Sequence, residues 1–383
     1  MRAKVASAAA IVCVFSVLSI PASAQDSRPL KHTRADGPVA NNLGYQVNKD
    51  TVGIISGNPN GTYLRLAYDM AAVLDDEKKG VRILPIIGAG GGGNIRDVRF
   101  LKGIDLGITQ TVLLNRYQRT KEIGPIDDKI VYIAKLNNEE MHLIVRSDSG
   151  IETIEQLAGK KVNFSDIGSG TQLSTQEIFE RLKIKAIEVN MGQADAFEAM
   201  KRGEIAASIL IAGKPTGSTR TLKGADGFKI LPVPYTKALQ EDFFPTVLTN
   251  EDYPDLIAKG QTVDTIAVVC VLIAYNWDKS TDRYQRIARF IDAFFPRIAD
   301  FQKAPRHPKW KEANLTAVVP GWKRHEAAEE WIGKNLQPKS DAERKQFEEY
   351  LGSQRGGRAQ AFAPEQREQL FEEFLKWRQT RGR

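Results

Sequence analysis

"VRILPIIGAGGGGNIRDVRFLKGIDLGITQ" (Val81–Gln110) decides the fold. An apolar run leads into a loop carrying Gly88, Gly90, Gly91, Gly92 and Gly93. Near Asn94 a helix begins with Ile95, Val98 and Leu101 on one face; it stops at Gly103, and "IDLGITQ" reads as the next strand. Upstream, Thr51–Ser56 reads as a strand and Gly57–Gly61 as a turn, with Leu64, Ala67, Ala71 and Leu74 at helical spacing. The plan then repeats. "IETIEQLAGKKVNFSDIGSGTQLSTQEIFERL" gives helix, strand, glycine-bearing turn and helix. "EAMKRGEIAASILIA" (Glu198–Ala212) is built like "VRFLKGIDLGITQ" (Val98–Gln110). Each ends a helix in basic residues and glycine, which suits the helix C-terminus, then enters an apolar strand through an acid. Strands alternating with helices in two similar halves predict an α/β fold of two lobes.

Gly88, Gly90 and Gly93 also spell GxGxxG, a dinucleotide-binding fingerprint. That reading needs an acid at the end of the following strand to hold the ribose. Asp105 enters the strand instead, and the strand ends at Gln110-Thr111. A further strand, "TVGIISG", also precedes the motif, so dinucleotide binding is disfavoured. What the loop does offer is bare backbone N–H groups at a helix start, where the helix dipole favours an anion. "SGNPNGTYL" and "SDIGSGTQL" have the same build. Three such turns from both halves predict a shared anion-binding cleft. The four histidines (His32, His142, His307, His325) are scattered, with no HExxH, GxSxG or Walker A pattern. Neither an enzyme, nor a metal site, nor a cofactor is expected.

Met1–Lys4 is basic, Val5–Ile20 is mostly apolar and Ala22-Ser23-Ala24 is a small-x-small site. Residues 1–24 therefore read as a signal peptide cleaved after Ala24, and the protein as periplasmic. Without Arg2 and Lys4 the basic count falls from 54 to 52 against 47 acids, a net charge of +5. Basic and aromatic residues do not interleave, so nucleic acid is not an expected partner. Cys13 lies in the signal, which leaves Cys270 without an internal disulfide partner. The run Ile266–Tyr275 is too short to span a bilayer and reads as a buried strand, so the mature chain is not expected to cross a membrane. Asp26–Asp50 is polar and aperiodic, and the segment beyond Trp331 is strongly charged, with an apolar stripe of Leu370, Phe371, Phe374 and Leu375.

The ordered set "GIISGNPNGTYLRLA", "GAGGGGNIRDVRFLKGIDLGITQT", "MHLIVRSDSGIETIEQLAGKKVNFSDIGSGT" and "GEIAASILIAGKPTG" resembles the TAXI family, solute receptors of tripartite ATP-independent periplasmic (TRAP) transporters. The resemblance covers about Thr51 to Trp331. It implies a two-lobed type II periplasmic-binding-protein fold, with a hinge and an interlobe cleft closing on a small carboxylate, and a TRAP-type membrane permease as partner. The implied solute is a glutamate-like amino acid or a dicarboxylate such as 2-oxoglutarate. Matched by motif, the contacts would be Thr62, Tyr63, Gly92, Gly93 and Gln110 from the first lobe, with Ser169, Gly170 and Thr171 from the second. Two departures stand out. The loop reads GGGGNI where the family tends to carry a serine, and Lys214 replaces a more usual non-basic residue, where it could pair with a second carboxylate. The implied organisation is a linker over 25–48, lobe I over 49–143 and 255–335, lobe II over 144–254, and a charged helical extension over 336–383. Two other functions fit the residues: a periplasmic ligand sensor docking on a signalling partner through the C-terminal helix, and an exported enzyme.

Overall fold

The computed structural model describes residues 38–336 apart from residue 60. The signal-peptide stretch and the extension from Gln337 onward lie outside the described residues. The chain forms two compact units, Met1–Tyr45 and Gln46–Arg383. Of the first, only the opening of helix α1 (Pro38–Lys49) is described. Here the aperiodic character expected of this segment gives way to a helix from Pro38, whose missing N–H falls where a helix has no internal acceptor.

In the second unit, β1 (Thr51–Ile55), α2 (Thr62–Leu74), β2 (Arg82–Ile86), α3 (Gly91–Phe100), β3 (Leu106–Gln110) and α4 (Thr111–Thr120) alternate as expected. The long strand β4 (Ile130–Arg146) follows, and then β5 (Lys161–Asn163), α5 (Gly170–Arg181), β6 (Ile187–Val189), α6 (Gln193–Lys201) and β7 (Ala207–Ala212). After α7 (Gly217–Arg220), β8 (Phe228–Leu231) and β9 (Phe244–Thr249), the second long strand β10 (Thr262–Tyr275) turns back. Helices α8 (Asp282–Phe294), α9 (Ile298–Phe301) and α10 (Glu326–Asn335) complete the described chain.

The sheet order is β2-β1-β3-β10-β4-β7-β5-β6. The flanks β2-β1-β3 and β7-β5-β6 are parallel, and they define a first and a second lobe. The antiparallel pair β4 and β10 joins them. Strand β4 pairs with β10 along Ile130–Glu140 and with β7 along Glu140–Val145. Strand β10 pairs with β9 through Ala267 and with β3 from Cys270. The crossing between lobes therefore falls where Glu139 faces Val268 and Glu140 faces Ala267. This is a two-lobed α/β fold with paired hinge strands.

The long strands are apolar on both faces because helices or strands cover both. In β10, Ile266, Ala267, Val268, Cys270, Val271, Leu272, Ile273 and Ala274 are all buried, a continuous run rather than an alternating one. Each of the larger side chains contributes roughly 1.5–3 kcal/mol by leaving water. Helix α8 packs Ile287, Phe290, Ile291 and Phe294 on the first lobe with Phe301 and Trp310, and the second lobe has its own cluster around Phe197, Met200, Phe228 and Tyr253.

Three local readings differ. "IETIEQLA" forms only a short 3-10 turn, Ile154–Leu157, closed by a capping box between Thr153 and Gln156. Asp242–Gln261, with Pro245 and Pro254 among acidic and aromatic residues, reads as irregular in sequence, yet it contains β9, which among the described residues pairs only with β10 and so tolerates proline at a sheet edge. Helix α3 starts at Gly91 rather than near Asn94, because Gly90 takes a φ of 84° and Gly91 one of 40°, which turn the chain into the helix early.

Candidate functional site

Four helices begin at the interface between the lobes. Gly61 precedes α2, Gly90 precedes α3, Ser169 precedes α5 and Gly192 precedes α6. Only Ser169 caps with its side chain, accepting from the Gln172 amide at 3.1 Å. The first-turn amides of a helix have no internal acceptor, so these ends carry unpaired N–H groups and partial positive charge. They surround a cavity of about 250 Å³. That is the scale of a small metabolite.

The first lobe lines the cavity with Gly57, Asn58, Gly61, Thr62, Tyr63, Ala89, Gly90 and Gln110. The second contributes Ser165, Asp166, Ser169, Gly170, Thr171, Gly192, Gln193 and the end of β7, and Glu139 lines it from the hinge. The expected residues Thr62, Tyr63, Gln110, Ser169, Gly170 and Thr171 thus meet around one space. Several of their side chains are already engaged. The Thr171 hydroxyl donates to Ile211 O (3.3 Å) and accepts from Ile211 N (3.0 Å), fixing α5 to β7. What Thr171 and Gly170 present is backbone. Thr62 Oγ1 donates across the cleft to Gly213 O at 3.3 Å, and Asn58 Nδ2 donates to Asp166 Oδ2 at 2.8 Å.

Gly92, Gly93 and Lys214 are placed elsewhere. Gly92 packs where any Cβ would come within 2.3 Å of Leu173 Cδ1 and 2.7 Å of Tyr117 Oη, so a larger residue there would have to displace the ends of those two side chains. Gly93 N donates to Gly168 O at 3.2 Å, joining the lobes. The Lys214 ammonium bonds Asp252 Oδ2 (2.8 Å) and Val247 O (2.7 Å) within the second lobe. Neither glycine nor this lysine lines the cavity. Gly91 touches the opposite lobe most closely: a Cβ there would lie 2.3 Å from Gly170 Cα.

The main residue absent from the motif reading is Glu139. Its Oε2 accepts from Tyr63 Oη at 3.0 Å and from Gln110 Nε2 at 2.5 Å. Gln110 is held in turn by the Ser174 hydroxyl. Burial, with the neighbouring Glu140 charge adding to it, pushes the Glu139 carboxyl up to about 8 against the pull of those two donors and Lys309. Beside it, Glu140 accepts from Lys309 Nζ (2.5 Å) and the Lys214 amide (2.9 Å), while Lys309 also reaches Glu312 Oε1 at 2.7 Å. The signal in the sequence was "NNEEM", a polar block with two adjacent acids midway along a 17-residue strand whose ends are largely apolar. Ser165, at a φ of 69° rarely taken by serine, is a second lining residue the motifs did not mark. Among the described residues, no lysine, arginine or histidine lines the cavity. Among the described residues there is no His/Cys/Asp/Glu group suited to a metal ion, and no helix long and apolar enough to cross a membrane.

A small cavity between two hinged lobes, ringed by helix N-termini, is suited to hold a small anionic solute through backbone amides. Residues 54–331 match the NMT1-like family, and the chain belongs to it. The chain is also similar to solved structures of binding proteins. The periplasmic binding protein BugD is 15% identical, with a TM-score of 0.45 over 78% of this chain and 97% of that one. The periplasmic aliphatic sulphonate binding protein SsuA from Escherichia coli is 16% identical, with a TM-score of 0.40 over 77% and 91%. The substrate binding protein of an amino acid ABC transporter is 12% identical, with a TM-score of 0.39 over 65% and 93%.

Proposed function

We propose that the protein captures a small carboxylate outside the cytoplasm and delivers it to a TRAP-type permease, the solute being a glutamate-like amino acid or a dicarboxylate such as 2-oxoglutarate. The observation that carries this reading is the convergence of four helix N-termini on one small cavity with no basic side chain among the described residues of its wall. An anion there is met by backbone dipoles, the amides of Gly170 and Thr171 on one lobe and of Thr62 and Tyr63 on the other. Gln110 and Ser169 complete the proposed contacts. Because the amides come from both lobes, the solute is held fully only when the lobes meet, so capture and closure form one linked equilibrium. Export fits the same reading, with residues 1–24 as the signal removed after Ala24.

The test is a thermal-shift screen of the mature protein against amino acids and carboxylates, followed by calorimetry on the compounds that stabilise it. Stabilisation by L-glutamate, 2-oxoglutarate or a close analogue is expected, and Gln110→Ala should weaken binding at least tenfold while the protein stays folded. Failure of every carboxylate to stabilise the protein would refute the reading.

A further inference from the structure

We propose that Glu139 is a solute contact in its protonated form, donating from Oε1 to a carboxylate oxygen, so that capturing an anion is coupled to a proton held on this residue. The inference rests on the capture reading above and assigns the site its proton linkage.

The geometry leaves little choice. Both donors that reach Glu139, Tyr63 Oη and Gln110 Nε2, are spent on Oε2. Oε1 has no hydrogen-bond partner among the described residues, and Glu139 forms part of the cavity wall. A proton on this carboxyl therefore sits on Oε1, directed to the space the solute would fill. The surrounding charges favour that proton. On the same strand stands Glu140, across the cavity stands Asp166, and on the Pro308–Glu312 turn stands Glu312. The cation nearby, Lys309, is shared between Glu140 and Glu312. Tyr63 from α2 and Cys270 from β10 face Glu139 too, and burial raises both well above their usual values, so neither supplies charge in the neutral range. A carboxylate solute entering beside an ionised Glu139 would place two negative charges together in a buried space, with only amide dipoles to offset them. A neutral carboxyl donating to that carboxylate removes the repulsion and adds a charge-assisted hydrogen bond.

The magnitude follows from the value of about 8 that Glu139 takes with the lobes in contact, used as the starting point for solute entry. The neutral fraction is then about 0.97 at pH 6.5, about 0.76 at pH 7.5 and about 0.24 at pH 8.5. Affinity should weaken roughly fourfold between pH 6.5 and 8.5, and proton uptake per bound solute should rise from near zero to about 0.25 and then about 0.75. Both are read by titration calorimetry at the three pH values in paired buffers of unlike ionisation enthalpy, with 2-oxoglutarate and L-glutamate as probes. Glu139→Gln keeps a donor without a proton to lose, and its Kd should be independent of pH. Proton uptake by the native protein is sufficient on its own if that variant is poorly folded. A pH-independent Kd for a probe that binds the native protein would overturn the assignment of Glu139 and leave the capture reading standing. Proton release would also overturn it, because it would mark an ionised Glu139 receiving an ammonium group. Absence of binding by either probe and by the wider carboxylate panel would overturn both readings.

Discussion

Replacing Lys309 by methionine tests how the hinge is held. The Lys309 side chain is 2% exposed, and its ammonium lies 2.5 Å from Glu140 Oε1 and 2.7 Å from Glu312 Oε1. Glu312 Oε2 in turn accepts from the Asn138 amide at 2.8 Å, and Glu140 Oε2 accepts from Lys214 N at 2.9 Å. One turn of the first lobe thereby grips β4 at its crossing point and a loop of the second lobe. At an effective dielectric of about 20, the closer contact alone has a gross attraction of about 7 kcal/mol. Desolvation offsets much of this, so the intact group is worth far less than that figure. Methionine removes the cation and strands Glu140, which should destabilise the fold by about 3–5 kcal/mol. At about 2 °C per kcal/mol, Tm should fall by roughly 6–10 °C.

The double variant Lys309→Met/Glu140→Gln removes the stranded charge while keeping an acceptor for the Lys214 amide, and it should recover at least half of the loss. The deficit of the single variant should also depend on pH. Without Lys309, Glu140 stays protonated in the folded chain to a higher pH, whereas the unfolded carboxyl ionises near its usual 4.3. The folded state then binds more protons than the unfolded one, so the deficit grows as pH rises. Differential scanning calorimetry at pH 5 and pH 8 measures both effects. A fall in Tm under 2 °C at pH 8, or a double variant no better than the single one, would refute the argument.

Gly91→Ala should weaken solute binding strongly, since its Cβ would meet Gly170 Cα at 2.3 Å when the lobes close, and should also lower Tm because Gly91 sits at a φ of 40°; calorimetry and small-angle scattering would show weak binding and a more open particle, and a Tm loss with unchanged affinity would refute the closure argument. Asn58→Ala removes a bond made between the lobes, Asn58 Nδ2 to Asp166 Oδ2, and should weaken affinity by about 2–10-fold with little change in the Tm of the unliganded protein. His142 and His325 are buried, and burial lowers both to about 4. Each is neutral in the fold but takes a proton when unfolded below about 6.5, so stability should fall as pH drops from 6.5 to 4, by on the order of 3 kcal/mol per histidine; His142→Gln and His325→Gln should flatten that slope in acid-dependent unfolding, and an unchanged slope would assign it to other groups.

How much of this was legible in the sequence depended on whether the backbone or the side chain carried the role. The "GTY" and "GSGT" turns and the strand end at Gln110 were legible because a strand-to-helix turn ending in glycine fixes its amides whatever the rest of the fold does. Gly92 and Gly93 were assigned to the solute by the same logic. In the structure Gly92 packs against Leu173 and Tyr117 and Gly93 N donates to Gly168 O, contacts that depend on elements later in the chain. Lys214 shows the limit more sharply. A cation beside an inferred anion site looked like a ligand, but Asp252, 38 residues later, neutralises it within its own lobe. Local sequence holds no record of that pairing.

Glu139 inverts the same lesson. A motif search for an anion site looks for basic residues and helix starts and passes over acids. The structure puts an acid on the hinge itself, opposite Val268, where it touches α2 through Tyr63, β3 through Gln110 and the cavity through its remaining oxygen. A solute that bonds there is bonded to the strand about which the lobes turn. Replacing Gln110 would then act twice, by removing a cavity-lining amide and by freeing the carboxyl that it orients. Replacing Ser174 would act only on the second of these, because its hydroxyl holds Gln110 and does not line the cavity. The ratio of the two losses in affinity separates contact from orientation: equal losses would mean that Gln110 serves mainly to aim Glu139, whereas a much larger loss for Gln110 would mean that it holds the solute itself.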